Sequence, residues 1–183
     1  NVGSLLNGVI SSYNRVKDMK DYGFEVGGPI LRDRLFVWGA YGRTEPKMQI
    51  FTRDPLNTRN YIQTAKDETT LENFSGKATA ELTNKIRASF TYFRGNKEKA
   101  GRGASAKRPD ETTWNQTGPT DMYKGEVNLT LNNNLYVTGR YAYVKNLFHL
   151  TPRGAAGSQT YLDDAGVFHG TYLDYLTERP SQT

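Results

Sequence analysis

Residues 123–144 read YKGEVNLTLNNNLYVTGRYAYV, two alternating segments separated by three asparagines. From Tyr123 to Leu131 every second residue is apolar or glycine, and the alternation resumes from Leu135 to Tyr143. A period of two places successive side chains on opposite faces of a β-strand. Asparagine suits tight turns because its side chain bonds its own backbone. The stretch therefore predicts an antiparallel hairpin with one apolar face and one polar face.

The same alternation recurs along the chain. Strands are predicted near 22–30, 34–43, 73–82, 86–94, 122–131 and 135–144. Within residues 22–30, 74–82, 86–93, 123–131 and 135–144, every charge lies on the polar face. A Lys or Arg that faces lipid at the bilayer midplane costs about 2–4 kcal/mol, which explains such sorting.

Short and long connectors alternate between these strands. The short ones, 31–33, 83–85 and 132–134, are polar, and long loops are predicted near 44–70, 95–121 and 145–183. Bacterial outer-membrane barrels have short periplasmic turns and long extracellular loops. The pattern predicts an all-β, antiparallel, up-and-down transmembrane β-barrel. About six strands leave two unpaired edges, so we expect an arc of a larger barrel. A soluble β-sandwich also alternates and is the main structural alternative.

Composition narrows the function classes. The chain has no cysteine and no apolar run long enough for a transmembrane helix, and its formal net charge is +5. His149 and His169 lack the spacing of metal ligands. We find no nucleophile–base arrangement and no phosphate-binding glycine loop. The sequence therefore predicts no enzyme activity, no catalytic or metal-binding residues and no cofactor.

The segment 34–43 is apolar on both faces. Phe36 and Trp38 lie on the face that is polar in the other strands. A strand that is apolar on both sides needs a partner on each, which predicts a plug inside the barrel. The other candidates for the lumen or for plug contact are charged: Glu25, Lys77, Glu81, Arg87, Lys124, Glu126 and Arg140. Lys77 with Glu81, or Lys124 with Glu126, are possible ion pairs.

One connector is rich in cations. Its basic residues are Arg94, Lys97, Lys99, Arg102, Lys107 and Arg108. A basic loop of this kind could bind lipopolysaccharide phosphates or an anionic ligand, and a mobile solvated loop is the alternative. A nucleic-acid role is not expected, because the aromatic residues follow the strand period and do not interleave with the cations.

Two stretches carry a family resemblance. Residues 21–41, DYGFEVGGPILRDRLFVWGAY, resemble an early barrel hairpin of TonB-dependent outer-membrane receptors. The closest group is the Oar-like one, with its pattern GGPI-x-x-D-(K/R)-L-F-x-(F/W)-G-x-Y. Residues 113–119, TWNQTGP, with Tyr123 to Glu126, resemble a later passage of that group. The resemblance implies a plugged barrel, probably of 22 strands, that an inner-membrane TonB complex energises through a box ahead of the plug.

This resemblance sets the expected function. It implies transport of a bulky ligand, such as a peptide or protein, across the bacterial outer membrane, with this segment supplying wall and external loops. The expected partners are outer-membrane lipid and lipopolysaccharide, the rest of the same barrel with its plug, and the TonB complex through an N-terminal part outside this sequence. A structural or adhesive outer-membrane barrel is the alternative, and a soluble β-sandwich binding module is the next one.

Overall fold

A computed structural model describes residues 12–54, 56–57, 59–171 and 175–182 as an all-β chain. Alternating segments become strands because each can present one apolar and one polar face. The strands are β1 Ser12–Leu31, β2 Leu35–Arg53, β3 Tyr61–Thr83, β4 Ile86–Arg102, β5 Trp114–Thr117, β6 Thr120–Asn132, β7 Leu135–Pro152, β8 Tyr161–Leu162, β9 Phe168–His169 and β10 Tyr175–Gln182. A 3₁₀ turn, Asp110–Thr112, precedes β5.

One antiparallel sheet contains all of these strands except β8 and β9. Its order is β1-β2-β3-β4-β5-β7-β10, with β6 also between β4 and β7. Strands β5 and β6 thus share one position in the sheet, interrupted at Gly118 and Pro119. Neighbouring positions of this sheet follow chain order and pair antiparallel, so the predicted up-and-down antiparallel order is confirmed.

The strand register confirms the predicted faces. Val37 pairs with Ala78, Ala78 with Phe90, and Phe90 with Gly125, so these side chains share one face. On the other face, Trp38 pairs with Lys77. The three short turns lie together at one end, which we call the turn end. The opposite end is the loop end.

The turn between β1 and β2 has the chemistry expected of a hairpin. Asp33 has a φ of 58°, and aspartate is one of the few residues that accept this left-handed backbone. Pro29 lies beside a register irregularity near the end of β1, as its missing N–H predicts.

The predicted loop boundaries are wrong. The loop placed near 44–70 shrinks to residues 54–60, because β2 runs to Arg53 and β3 begins at Tyr61. The loop near 95–121 contains the end of β4, the 3₁₀ turn and β5, and the loop near 145–183 contains the end of β7 and β8 to β10. Polar and apolar residues are mixed on the faces of these extensions, so the apolar–polar contrast behind the prediction vanishes while the backbone ladder continues.

The strand number is also corrected. The sheet has a seventh position, β10, which pairs with β7 from Tyr175 to Gln182. Its sequence YLTERPSQ is polar and contains Pro180, which removes a ladder donor and weakens a strand prediction. A proline is tolerated here because β10 pairs only with β7 within the described chain.

The buried residues lie at the loop end. Ile50 and Ala65 are almost fully covered, as are Thr112, Thr113 and Gln116. Elsewhere the sheet is a single layer whose apolar side chains are open: Phe24 is 69% exposed and Val26 is 71% exposed. A band of this kind needs a covering partner.

Candidate functional site

One face of the sheet is apolar from the turn end to its middle. We call it the apolar face. Its side chains include Val26, Val37, Ala78, Ala80, Ala88, Phe90, Val127, Val137 and Tyr141. Along single strands this band covers residues 74–82, 123–131 and 135–143, about nine residues each, close to the roughly 9–11 of a membrane-spanning strand.

An aromatic row closes the band toward the loop end. The ring centroids are 5.8 Å apart for Phe24 and Tyr41, 6.0 Å for Phe74 and Tyr92, 5.0 Å for Tyr92 and Tyr123, and 6.4 Å for Tyr123 and Tyr143. Tyr41 and Phe74 are register partners, so the row continues from β1 to β7. Aromatic residues concentrate where an apolar layer meets a polar one, since one ring edge can be wet.

A charged rim follows directly beyond the row. Arg43 lies 2.5 Å from Glu45 and 2.8 Å from Glu72, and the Tyr41 hydroxyl donates a 3.1 Å hydrogen bond to Glu72. Further along, the Tyr92 hydroxyl donates to Asp121 at 2.7 Å. The tyrosines therefore join the apolar band to a polar layer.

The opposite face, the polar face, carries an ion-pair network. Glu126 is 3.0 Å from Arg140 and 3.4 Å from Lys124, and it accepts a 3.1 Å hydrogen bond from Asn128. The Lys124–Glu126 pair is therefore confirmed. One carboxylate serving two cations leaves this part of the face with surplus positive charge.

The Lys77–Glu81 pair was predicted wrongly. Glu81 is paired with Arg87, its direct register partner across the β3–β4 hairpin. Four residues along a strand span about 13 Å, too far for Lys77 to compete with a cross-strand partner. Lys77 and Glu25 are exposed and make no ion pair within the described part of the chain.

Phe36 and Trp38 lie on the polar face, as predicted. Phe36 is 43% exposed and Trp38 is 41% exposed. Trp38 packs over Gly27, where an added Cβ would come within 2.9 Å of the indole ring. Gly27 is therefore glycine because it makes room for this tryptophan.

The six basic residues do not lie in one loop. Arg94, Lys97, Lys99 and Arg102 belong to β4, whereas Lys107 and Arg108 follow it. Lys99 makes a 2.7 Å ion pair with Asp67. Strand β4 looked like a loop here because its polar residues remove the contrast between its faces.

Arg102 is turned by a bulge. Gly101 has a φ of 79°, which glycine adopts without strain, and the register shifts at this point. Arg102 then donates a 2.5 Å hydrogen bond to Gln116 and lies 5.1 Å from the Phe148 ring. Lys99 lies on the polar face, and its register partner is Gln116. Trp114, two residues before Gln116, lies on the same face and is the register partner of Arg102. Arg102 therefore belongs to the polar face.

Sequence reasoning missed a packed unit at the loop end. Residues 103–113 and 153–171 form this loop-end cluster. The Phe168 N–H donates to the Lys107 carbonyl at 2.9 Å, and the Arg108 guanidinium lies 4.1 Å from the Phe168 ring and 5.0 Å from the Trp114 ring. No local sequence pattern predicts contacts between segments that lie so far apart in the chain. The few aromatic and arginine residues of these segments, Arg108, Arg153, Tyr161 and Phe168, were the available signal.

Asp110 ties the loop-end cluster to the sheet. Its Oδ1 accepts a 3.0 Å hydrogen bond from the Lys66 N–H and lies 3.2 Å from Arg153 Nη1. The buried neighbours Ile50 and Ala65 are register partners on the face of Trp38. The loop-end cluster therefore lies on the polar-face side of the sheet.

The β8–β9 hairpin in this cluster has its own polar closure. His169 Nε2 lies 2.9 Å from Asp163 Oδ2, and the Val167 N–H donates to Asp163 Oδ1 at 2.8 Å. The hydrogen bond to His169, and then the one from Val167, hold the pKa of Asp163 below its usual value. Tyr161 stacks on His169 with ring centroids 4.7 Å apart.

The described residues also bear on two other classes of site. No helix in the described residues has the length and apolar character needed to cross a membrane. No group of three or more potential metal ligands occurs in the part of the chain that the structure describes.

Comparison with known proteins adds no relative. No protein-family model matches the chain, and neither does any curated protein or solved structure. What the chain does must be inferred from its own residues and geometry.

Proposed function

We propose that this chain is an arc of an outer-membrane β-barrel whose apolar face contacts lipid. The observation that carries the proposal is the apolar band, bounded by tight turns on one side and by the aromatic row with its charged rim on the other. Its length suits the hydrocarbon layer. Strand edges are costly in lipid, so further strands would close the barrel.

The barrel is proposed to be of the TonB-dependent type and to contain a plug. Support comes from the 21–41 motif and from the exposed pair Phe36 and Trp38 on the polar face. Lys77 and Glu25, both without an ion pair in the described chain, would gain partners from a plug surface. The TonB complex would act through a part of the protein outside this sequence.

In this proposal the chain transports a bulky ligand, such as a peptide or protein, and performs no chemistry. The loop end would face the cell exterior, because long loops do so in such barrels. The loop-end cluster lies on the polar-face side and would narrow the entrance to the lumen. Outer-membrane lipid and lipopolysaccharide would surround the wall.

Lipid contact is tested by quenching with brominated lipids. Single cysteines at Ala78, Ala88 and Val127 on the apolar face, and at Thr79 and Ser89 on the polar face, are labelled with a fluorophore in the full-length protein in vesicles. The absence of native cysteine from this region keeps its labelling specific. We expect quenching only at the first three positions. Equal quenching on both faces, or partition of the intact protein into water without detergent, would refute the membrane barrel.

The transport type needs a separate test. A purified periplasmic portion of TonB should bind the full-length protein, and a photocrosslinker at Trp38 should capture another segment of the same polypeptide. A barrel that contacts lipid but shows neither result would instead be the structural or adhesive alternative.

A further inference from the structure

The apolar face contains a groove in its middle. Its volume is about 540 Å³, and its exposed lining is almost entirely apolar. Small residues on four neighbouring strands form the floor, and aromatic side chains rise beside it. The main lining residues are Ala78, Ala88, Gly125, Gly139, Phe90 and Tyr141.

The glycines of this groove are not required by the chain's own packing. A Cβ at Gly125 or Gly139 would meet nothing within 4 Å, whereas one at Gly23 would lie 2.5 Å from the Tyr41 carbonyl oxygen. The β6–β7 register is regular at both positions. Glycine in a strand interior costs about 0.5–1 kcal/mol relative to alanine, and without a bulge it often marks close approach by another molecule.

The rim above the groove contains two basic residues and one carboxylate. Arg94, Asp121 and Lys145 are register neighbours on β4, β6 and β7, the strands that carry most of the groove. Arg94 is 3.9 Å from Asp121, and its side chain is 56% exposed. By contrast, Arg43 on β2 is enclosed by two carboxylates, Glu45 and Glu72.

Arg94 retains its capacity to bind an anion. The Oδ1 of Asp121 accepts the Tyr92 hydroxyl at 2.7 Å, whereas Arg94 Nε lies 3.9 Å from the same oxygen, beyond hydrogen-bond distance. Guanidinium groups bind phosphate oxygens through paired hydrogen bonds. From Arg94 down to Ala88 on the same face of β4 is about 20 Å of strand, so an anion at the rim and an apolar chain in the groove can belong to one amphiphile.

We propose that this groove binds one lipid A moiety of lipopolysaccharide, with a phosphate at Arg94, near Lys145, and an acyl chain over Gly125 and Gly139. The inference rests on the proposed outer-membrane barrel and its orientation, since lipid A belongs to the outer leaflet. The lipid A moiety would lie on one side of the barrel wall. Of the six basic residues predicted to bind an anion, only Arg94 contributes to this site.

The test measures lipid binding to the full-length protein in detergent micelles by native mass spectrometry. The probes are lipid A, dephosphorylated lipid A and phosphatidylglycerol. The variants are Arg94→Gln and the double variant Gly125→Val with Gly139→Val. Gly28→Val is the matched control, because Gly28 also has open space on the apolar face but lies away from this groove.

We expect both variants to weaken lipid A binding about tenfold and the control to leave it unchanged. Dephosphorylated lipid A should bind the unmodified protein about tenfold more weakly and be insensitive to Arg94→Gln. If the double variant does not fold, Arg94→Gln and dephosphorylated lipid A still test whether a phosphate binds at Arg94.

Unchanged lipid A binding in both variants would overturn the site. Equal affinity for phosphatidylglycerol would overturn the choice of lipid A. A change of oligomeric state without a change in lipid binding would assign the groove to a second copy of the chain. Brominated-lipid quenching separates these failures from failure of the barrel itself, because the apolar face would remain quenched.

Discussion

A charge placed at Ala78 measures how deeply the apolar face is immersed. Ala78 is midway between Phe74 in the aromatic row and Leu82 near the turn end, about 13 Å of strand from each. An arginine at this depth on a lipid-facing strand costs about 2–4 kcal/mol. The unfolding equilibrium should therefore shift by about 30- to 1000-fold.

The matched control for Ala78→Arg is Ser89→Arg. Ser89 lies on the polar face of the adjacent strand, in register with Glu126. Glu126 already pairs with Lys124 and Arg140, but the new guanidinium would lie on the polar face and away from lipid, so its cost should stay below about 1 kcal/mol. The assay is equilibrium unfolding in urea of the full-length protein in lipid vesicles. Equal costs for the two variants, or a larger cost for Ser89→Arg, would refute the assignment of the apolar face to lipid.

Three more perturbations probe other parts of the structure. Gly27→Ala should lower the free energy of unfolding by about 1–3 kcal/mol, because its Cβ would meet the Trp38 ring at 2.9 Å, whereas Gly28→Ala should be nearly neutral in the same urea assay. Asp110→Ala should release the loop-end cluster and speed tryptic cleavage after Lys107 about tenfold, whereas Glu111→Ala should not. The β8–β9 hairpin should loosen in acid: the pKa of Asp163 is lowered in the fold, so its stabilisation is complete above the usual aspartate pKa and is lost as the pH falls through the lowered value. Amide exchange at Val167 follows this loss, and an exchange rate independent of Asp163 protonation would contradict it.

The sequence could predict the half of each strand in which the two faces differ chemically. The alternation 123–131 identifies both the strand and its apolar face, since a one-residue slip would exchange the faces. Beyond the aromatic row the contrast ends. Residues 44–53 continue β2 without any periodic signal, held by backbone pairing to β1 and β3.

The ion pairs of the site could be predicted within one strand but not between strands. Lys124 and Glu126 are close on one strand, and their pairing was foreseeable. Glu81 pairs with Arg87 because the two residues are register partners. This register follows from the sequence only when the turn geometry is known. The loop-end cluster was beyond prediction, because Arg108 meets Phe168 only after two distant segments fold together.

The distribution of burial bears on how a wall of this kind would work. The loop-end cluster is packed within the described chain, because Thr112 and Thr113 are buried and Asp110 anchors the unit to β3. The band between the turns and the aromatic row is not packed in this way. Its apolar side chains are exposed on one face, and Trp38 is exposed on the other. In the proposed barrel, lipid would cover one face of the band and a plug the other. A ligand approaching from the loop end would meet a unit already packed, so its passage would depend on rearrangement beside the polar face and not on folding of these loops.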